Sequence, residues 1–325
     1  MQTVMIDTYG DNQVVQLAQV ERPAPQAGEV LVKIHAAGVN PVDWKIRDGA
    51  GQRMGLTLPI ALGGEISGVV VQVGSDGGAA GGGGRDEGGG RFRPGDAVYG
   101  IIRAGGFAEY VVAPAADLAR KPASLDFIGA AAVALGGLTA WQAMFGLARL
   151  TRGQRLLITG GSGGVGSLAI QLAKAAGAHV TAMASARNEA FVRGLGADDF
   201  IDYTAQPFEA AAREVDMAMD VVFDTVGGDA FARAFSAVKR GGFLVTSVAF
   251  VSDADRQRAA AAGIGLARVQ CQPDAAQLDA IAQLVQAGQL APHVETVLPL
   301  AQIRAALALS QAGRTRGKIV IAIDG

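Results

Sequence analysis

The chain has 325 residues, half of them hydrophobic and 18% charged, with a formal net charge of -2. That length suits two domains at roughly 150 residues each, and the near-neutral balance gives no support to a nucleic-acid or membrane-surface role driven by bulk charge. The single cysteine, Cys271, makes no intrachain disulfide and suits a reducing compartment such as the cytoplasm. With no histidine beside it, that thiol reads as an inert side chain.

The first residues lack the basic and apolar segments of a secretion signal. The longest apolar run, Ile128–Leu138, is too short to span a membrane. The first third reads as β-rich. Val30–His35 alternates apolar and polar residues, and strands follow at Gly68–Gly74, Ala97–Ile102 and Phe107–Val112. Pro23, Pro41, Pro59, Pro94 and Gly95 punctuate them. Between Gly74 and Arg91 the chain is mostly glycine without periodicity, which predicts a mobile surface loop.

From Arg155 the pattern changes. Arg155–Thr159 is a short buried strand, and Gly160–Gly166 is a tight turn. Val165, Leu168, Ala169, Leu172, Ala173 and Ala176 then recur at helical spacing, with Gly177 where a C-terminal cap belongs. Further strands are predicted at His179–Ala184, Phe200–Asp202, Asp220–Asp224, Phe243–Val248 and Leu266–Cys271, with a helix over Asn188–Leu195 and helical patterns between the others. Strands alternating with helices give an α/β fold with a doubly wound parallel sheet. After Gly288 the reading is strand His293–Leu300, helix Ala301–Ala312 and strand Lys318–Ile323. The organisation is therefore a dinucleotide domain over 123–289, inserted into a β-rich domain made of 1–122 and 290–325.

Gly161, Gly163 and Gly166 fit the dinucleotide fingerprint. The first permits the tight turn, the second lets backbone approach the pyrophosphate, and the third lets helix pack close to strand. Ser162, Gly164 and Val165 complete a turn whose phosphates would meet N–H groups at the helix N-terminus. The turn follows a strand and opens a helix, so its context is right. The end of the next strand decides between NAD and NADP. An acidic residue there accepts from the ribose 2′-OH of NAD, but no carboxylate occurs before Glu189. Ser185, Arg187 and Asn188 stand there instead, all donors suited to a 2′-phosphate. NADPH is the expected cofactor.

Ala36–Asp43, Gly63–Gly68, Pro94–Tyr99, Gly105–Tyr110, Gly160–Gly166, Leu195–Asp198 and Gly317–Val320 occur in one order. In that order they resemble the medium-chain dehydrogenase/reductase family over essentially the whole chain, and Asn40–Lys45 looks like its NADPH quinone oxidoreductase branch. The resemblance implies a GroES-like catalytic domain beside a Rossmann domain. Zinc members of the family carry a catalytic Cys where this chain has Asn40, a His where it has Gly64, and a four-cysteine lobe where it has the Gly-rich tract. One cysteine and three scattered histidines (His35, His179, His293) do not make a zinc site.

The reaction implied is hydride transfer from NADPH to a quinone or an α,β-unsaturated carbonyl. The resemblance places Asn40, Asp43 and Lys45 on a loop beside the nicotinamide. There Asn40 is an amide donor, Asp43 orients the loop, and Lys45 stabilises an oxyanion or donates a proton. Asn40 and Asp43 fit local turn bonding equally well, and Lys45 fits a solvated residue. Glu65 fills the family's acidic position near the absent metal site. Thr139, Tyr203, Thr225, Val226, Ser247, Val248 and Lys318 are carried over as cofactor contacts, with Arg316 beside them. A homodimer through the strand near Leu266–Cys271 is also implied. Two alternatives stand beside this reading: an enoyl-thioester reductase of the same fold, and an NADPH-binding, crystallin-like protein without turnover. No nucleic-acid or membrane partner is expected.

Overall fold

Alternating apolar side chains give the first segment its strands. Strand β1 (Gln2–Ile6) buries Val4 and Ile6, pairs antiparallel with β2 (Val15–Gln19), and meets β4 (Ile60–Ala61) on its other edge. The long β3 (Glu29–Val39) runs past β5 (Glu65–Val73), followed by β6 (Ala97–Ile101), β7 (Tyr110–Pro114) and β8 (Leu118–Arg120). This computed structural model describes residues 1–75, 91–205 and 219–323. Most of the predicted Gly-rich loop and the stretch between the third and fourth parallel strands lie outside the described residues.

The middle of the chain holds β9 (Arg155–Thr159), β10 (His179–Ala184), β11 (Asp199–Asp202), β12 (Met219–Asp224), β13 (Val238–Thr246) and β14 (Gly265–Arg268). They form one parallel sheet in the order β11-β10-β9-β12-β13-β14. Leu156, Leu157 and Ile158 are wholly buried, the continuous apolar run of a strand covered on both faces. The order reverses between β9 and β12, and ligands of such sheets bind beyond the carboxyl ends of the strands at that reversal. The helix Gly164–Ala175 follows the turn after β9 and buries Leu168, Ala169, Ile170, Leu172 and Ala173.

The chain then returns with β15 (Val294–Pro299), the helix Ile303–Ala312 and β16 (Lys318–Ala322). These complete a seven-stranded sheet, β15-β16-β3-β5-β6-β8 with β7 also on β3. Its core is Val30, Val32, Ile34, Ile66, Val70, Val98, Ile319 and Ile321, together with Ile303 and Leu307 from the returning helix.

Two compact units result: Met1–Ala134 with Pro273–Gln283 and Val294–Gly325, and Leu135–Gln272 with Leu284–His293. The first runs past the expected boundary at 122 because the helix Phe127–Ala131 packs on the first unit's sheet, with Ala131 and Ala132 against Ala36 and Val320. Strand β7 starts at Tyr110, later than the predicted Phe107. The backbone of Phe107 bonds to Val4 and Leu62 instead, and Ala108 bridges to Thr3. Strand β13 starts earlier than predicted, its pairing with β12 shifting register before Val221. Strand β14 stops at Arg268, short of the predicted Cys271, whose thiol lies 4.0 Å from the Leu135 carbonyl.

Gly38, near the end of β3, shows how closely the first unit is packed. A Cβ there would stand 2.3 Å from Glu65 Oε2 and 2.4 Å from the Ala131 carbonyl oxygen. A backbone oxygen cannot swing aside. Gly38→Ala should therefore lower the unfolding free energy by about 1–3 kcal/mol, read from the shift in denaturant midpoint. An unchanged midpoint would show that the strand has room to spare.

Candidate active site and dinucleotide cradle

The cradle lies in the second unit. Gly160 takes a left-handed φ of 65° and turns the chain out of β9, and the Gly161 N–H bonds to the Met183 carbonyl at 2.9 Å. A Cβ on Gly166 would stand 2.2 Å from the Gly160 oxygen, the close approach expected of the third glycine. Gly163, Gly164 and Val165 open the helix, whose first-turn N–H groups have no intrahelical acceptor and suit a phosphate.

Beside this turn, the Asn188 amide donates to Ser162 Oγ at 3.1 Å and to Ser185 Oγ at 3.2 Å. Asn188 is buried, whereas Arg187 next to it is exposed. Tyr203, just past β11, is also exposed. Asp202 was not legible in the sequence as part of this site. No carboxylate stands along β10 itself, but Ala184 is in register with Asp202 on the neighbouring strand. Asp202 Oδ1 accepts from the Thr204 hydroxyl, the Thr204 N–H and the Ala186 N–H. These bonds, the Thr204 hydroxyl foremost, hold the carboxyl below its usual range.

At the sheet's reversal point stands a second unforeseen residue. Asp224 is completely buried. It accepts the Thr159 hydroxyl at 2.8 Å and the Thr246 hydroxyl at 2.7 Å, with the N–H groups of Val226 and Gly227 at 3.1 and 3.0 Å. The Thr225 hydroxyl donates to the Thr159 carbonyl, and the Ser247 N–H to the Asp224 carbonyl. Thr246 Oγ1 in turn accepts the N–H groups of Val248 and Ala249. One carboxylate thus ties the ends of β9, β12 and β13, which carry the expected contacts Thr225, Val226, Ser247 and Val248. Thr139 lies in the helix Ala134–Trp141, its hydroxyl donating to the Leu135 carbonyl at 2.7 Å.

The first unit holds a separate buried polar group. Asn40 follows β3, Glu65 opens β5 and Lys318 opens β16. The Lys318 ammonium donates to Glu65 Oε2 at 2.7 Å and to Asn40 Oδ1 at 2.6 Å. The Asn40 amide donates to Glu65 Oε2 at 2.9 Å and to the Gly38 carbonyl at 3.2 Å. An amide nitrogen has two protons, so the donor expected for an acceptor carbonyl is already engaged on both. Lys318, carried over as a cofactor contact, is buried and paired within this group. Asp43, also buried, accepts the Asn40 N–H at 2.7 Å. Lys45, half-buried, places its ammonium over the Trp44 ring at 5.5 Å.

Zinc does not fit this set. Of the positions that would hold it, Asn40 offers an amide oxygen, Gly64 has no side chain, and Glu65 is neutralised by an ammonium. Among the described residues no group of three or more His, Cys, Asp or Glu could hold a metal ion. No described helix is long and apolar enough to cross a membrane.

Two families of known proteins match parts of the chain. Residues 26–123 match the family described as alcohol dehydrogenase GroES-like domain, and residues 195–321 match zinc-binding dehydrogenase. A mitochondrial NAD(P)H oxidoreductase of Danio rerio is 33% identical, covering 98% of this chain and 90% of its own length. A 2-methylene-furan-3-one reductase of Solanum lycopersicum is 32% identical, over 96% of this chain and 76% of its own. The solved quinone oxidoreductase of Coxiella burnetii superposes with a TM-score of 0.89 at 31% identity, covering 100% of this chain and 99% of that one.

Asp43 gives the first unit a pH dependence. Burial pushes its carboxyl from 3.8 up to about 7, against the opposing pull of the Asn40 N–H and Lys318. In the unfolded chain the same group ionises near 3.8. Below that value it is neutral in both states and costs nothing. Between 3.8 and about 7 the unfolded state ionises first, so stability falls as pH rises, and above that window the loss is complete. Asp43→Asn should flatten this slope relative to wild type in thermal midpoints measured from about pH 4 to about pH 8. Parallel profiles for the two proteins would contradict it.

Proposed function

The chain belongs to the medium-chain dehydrogenase/reductase family, and from that we propose that it is an NADPH-dependent reductase passing hydride to a quinone or an α,β-unsaturated carbonyl without zinc. The observation that carries the reading is the cradle, a Gly161–Gly166 turn whose neighbouring strand ends in Ser185, Arg187 and Asn188 with no carboxylate of its own. Names of relatives support the acceptor class, one a quinone oxidoreductase and one a reductase of a methylene-furanone.

When bound, the reduced nicotinamide supplies the hydride. Gly161, Ser162, Gly163, Gly164, Val165 and Gly166 would hold its pyrophosphate. Ser185, Arg187, Asn188 and Tyr203 would hold the adenosine end, and Thr139, Thr225, Val226, Ser247 and Val248 the nicotinamide half. Asp224 fixes the loops that carry the last four. An acceptor taking hydride develops negative charge on oxygen, which fixed donors stabilise best where no reorganisation is needed. Lys45 is proposed to meet that charge or supply the proton. Asn40 and Lys318 form a fixed dipole and charge; the expected loop is the short helix Pro41–Lys45, in which Asp43 accepts the N–H of the N-cap Asn40 and so holds the segment that carries Lys45. Strand β14 ends the parallel sheet, and a second copy pairing there would close its open edge as a homodimer. A single cysteine suits the cytoplasm, while the Danio rerio relative is named as mitochondrial.

Purified protein should oxidise NADPH with simple quinones or enals and leave ethanol-like alcohols untouched in the presence of NADP. An enoyl thioester assayed beside them separates the acceptor classes. Turnover of alcohols with quinones and enals both inert would sink the reading. Elemental analysis should find far less than one zinc per chain, and chelators should leave activity intact. Arg187→Ala removes a charge-assisted bond worth about 1.5–3 kcal/mol, so NADPH binding should weaken about ten- to a hundredfold with NADH barely changed. Equal losses for the two cofactors would assign Arg187 to the fold.

A further inference from the structure

Resting on the NADPH reading above, we propose that Asn188 is a positioning residue that sets cofactor choice by turning two serine hydroxyls outward as a donor pair for the 2′-phosphate.

The geometry leaves little freedom. The Asn188 side chain is buried, and its nitrogen lies 3.1 Å from Ser162 Oγ and 3.2 Å from Ser185 Oγ. A carboxamide nitrogen only donates, so both hydroxyl oxygens act as acceptors toward it. Each hydroxyl then keeps its single proton for another partner. Among the described residues, neither serine hydroxyl donates to a protein acceptor, and both side chains are half-buried, neither sealed in nor fully solvated.

The two serines come from different elements. Ser162 belongs to the turn that opens the helix Gly164–Ala175, and Ser185 lies immediately after β10. Their oxygens can be no farther apart than the sum of their two distances to the shared nitrogen. Two hydroxyl donors that close, at the strand end where the ribose 2′ position is read, suit a dianionic acceptor with several oxygens better than a single hydroxyl. The choice of Asn is what matters chemically. An Asp of the same shape would accept from both hydroxyls, turning their protons inward and adding a negative charge. The same scaffold would then favour a free 2′-OH over a phosphate.

The test titrates NADPH, NADH, 2′,5′-ADP and 5′-AMP into wild type and variants. Wild type should bind NADPH more tightly than NADH, and 2′,5′-ADP more tightly than 5′-AMP. Asn188→Asp should weaken NADPH and 2′,5′-ADP about a hundredfold and leave NADH and 5′-AMP within a few-fold. Asn188→Ala should weaken the phosphorylated ligands about tenfold, and should add no further loss in a Ser162→Ala/Ser185→Ala background, because it acts through those hydroxyls. If Asn188→Asp weakens all four ligands equally, the residue only holds the turn and the proposal fails. It fails also if NADPH affinity is unchanged. Should the Asn188 variants not fold, the double serine variant decides: selective loss of the phosphorylated ligands supports the proposal, and equal or no loss overturns it. A wild type that binds NADPH and NADH alike, and 2′,5′-ADP no better than 5′-AMP, brings down the NADPH reading itself, and this inference with it. That result is distinct from a wild type that discriminates while the Asn188 and serine variants do so equally well.

Discussion

Much of the first unit depends on neutralising Glu65. Its side chain has no exposure to solvent, and an isolated carboxylate in that setting is costly enough that it must find a countercharge. Lys318 supplies one, and Asn40 accepts from the ammonium and donates to the carboxylate, so the three side chains satisfy one another. A satisfied buried network rigidifies its surroundings, whereas removing one partner of such a pair commonly costs about 3–5 kcal/mol. Several local features follow from it. Gly38 must lack a side chain because Glu65 lies against it, and Asp43 resists ionising in part because Glu65 already carries a charge nearby. The Lys318–Glu65 pair also ties β16 to β5 across β3, which backbone bonding joins to both.

The second unit buries a carboxylate by other means. Asp224 draws two threonine hydroxyls and two backbone N–H groups. No cation lies among these partners, so the chain after β12 and β13 is fixed by neutral donors alone. Those strand ends are where a bound cofactor's own charge distribution must be accommodated. One unit thus carries an internal ion pair, and the other a clasp of neutral donors.

The strands of the second unit were legible because each is a short apolar run closed by glycine or a polar turn. Arg155–Thr159 and His179–Ala184 have the same bounds in sequence and structure. The early strands β1 and β2 were missed since their alternation is short and interrupted by polar residues, and their partners are each other and the two-residue β4. The Gly161–Gly166 turn was readable from spacing alone. Asp224 and Asp202 were not, because their importance comes from neighbouring strands: Thr159 and Thr246 are far from Asp224 in sequence, and only the parallel order brings them together. The spacing of Asn40 and Asp43 was visible, though they prove to be the N-cap and third residue of a short helix, and the engagement of both Asn40 amide protons depends on Glu65 and Gly38, and that of its oxygen on Lys318. Serine, arginine and asparagine at 185, 187 and 188 all looked like equal phosphate donors. The structure divides them, with Asn188 buried behind two serines and Arg187 outside.

The separation of Glu65 from Lys318 by 253 positions also sets an order of events during synthesis. At roughly 5–20 residues per second, Glu65 leaves the ribosome on the order of ten to fifty seconds before its lysine does. The second unit's parallel sheet is complete within that interval, whereas β3 still lacks the neighbour that β16 will give it. Until then Glu65 lacks its countercharge and β3 lacks the edge partner that β16 supplies.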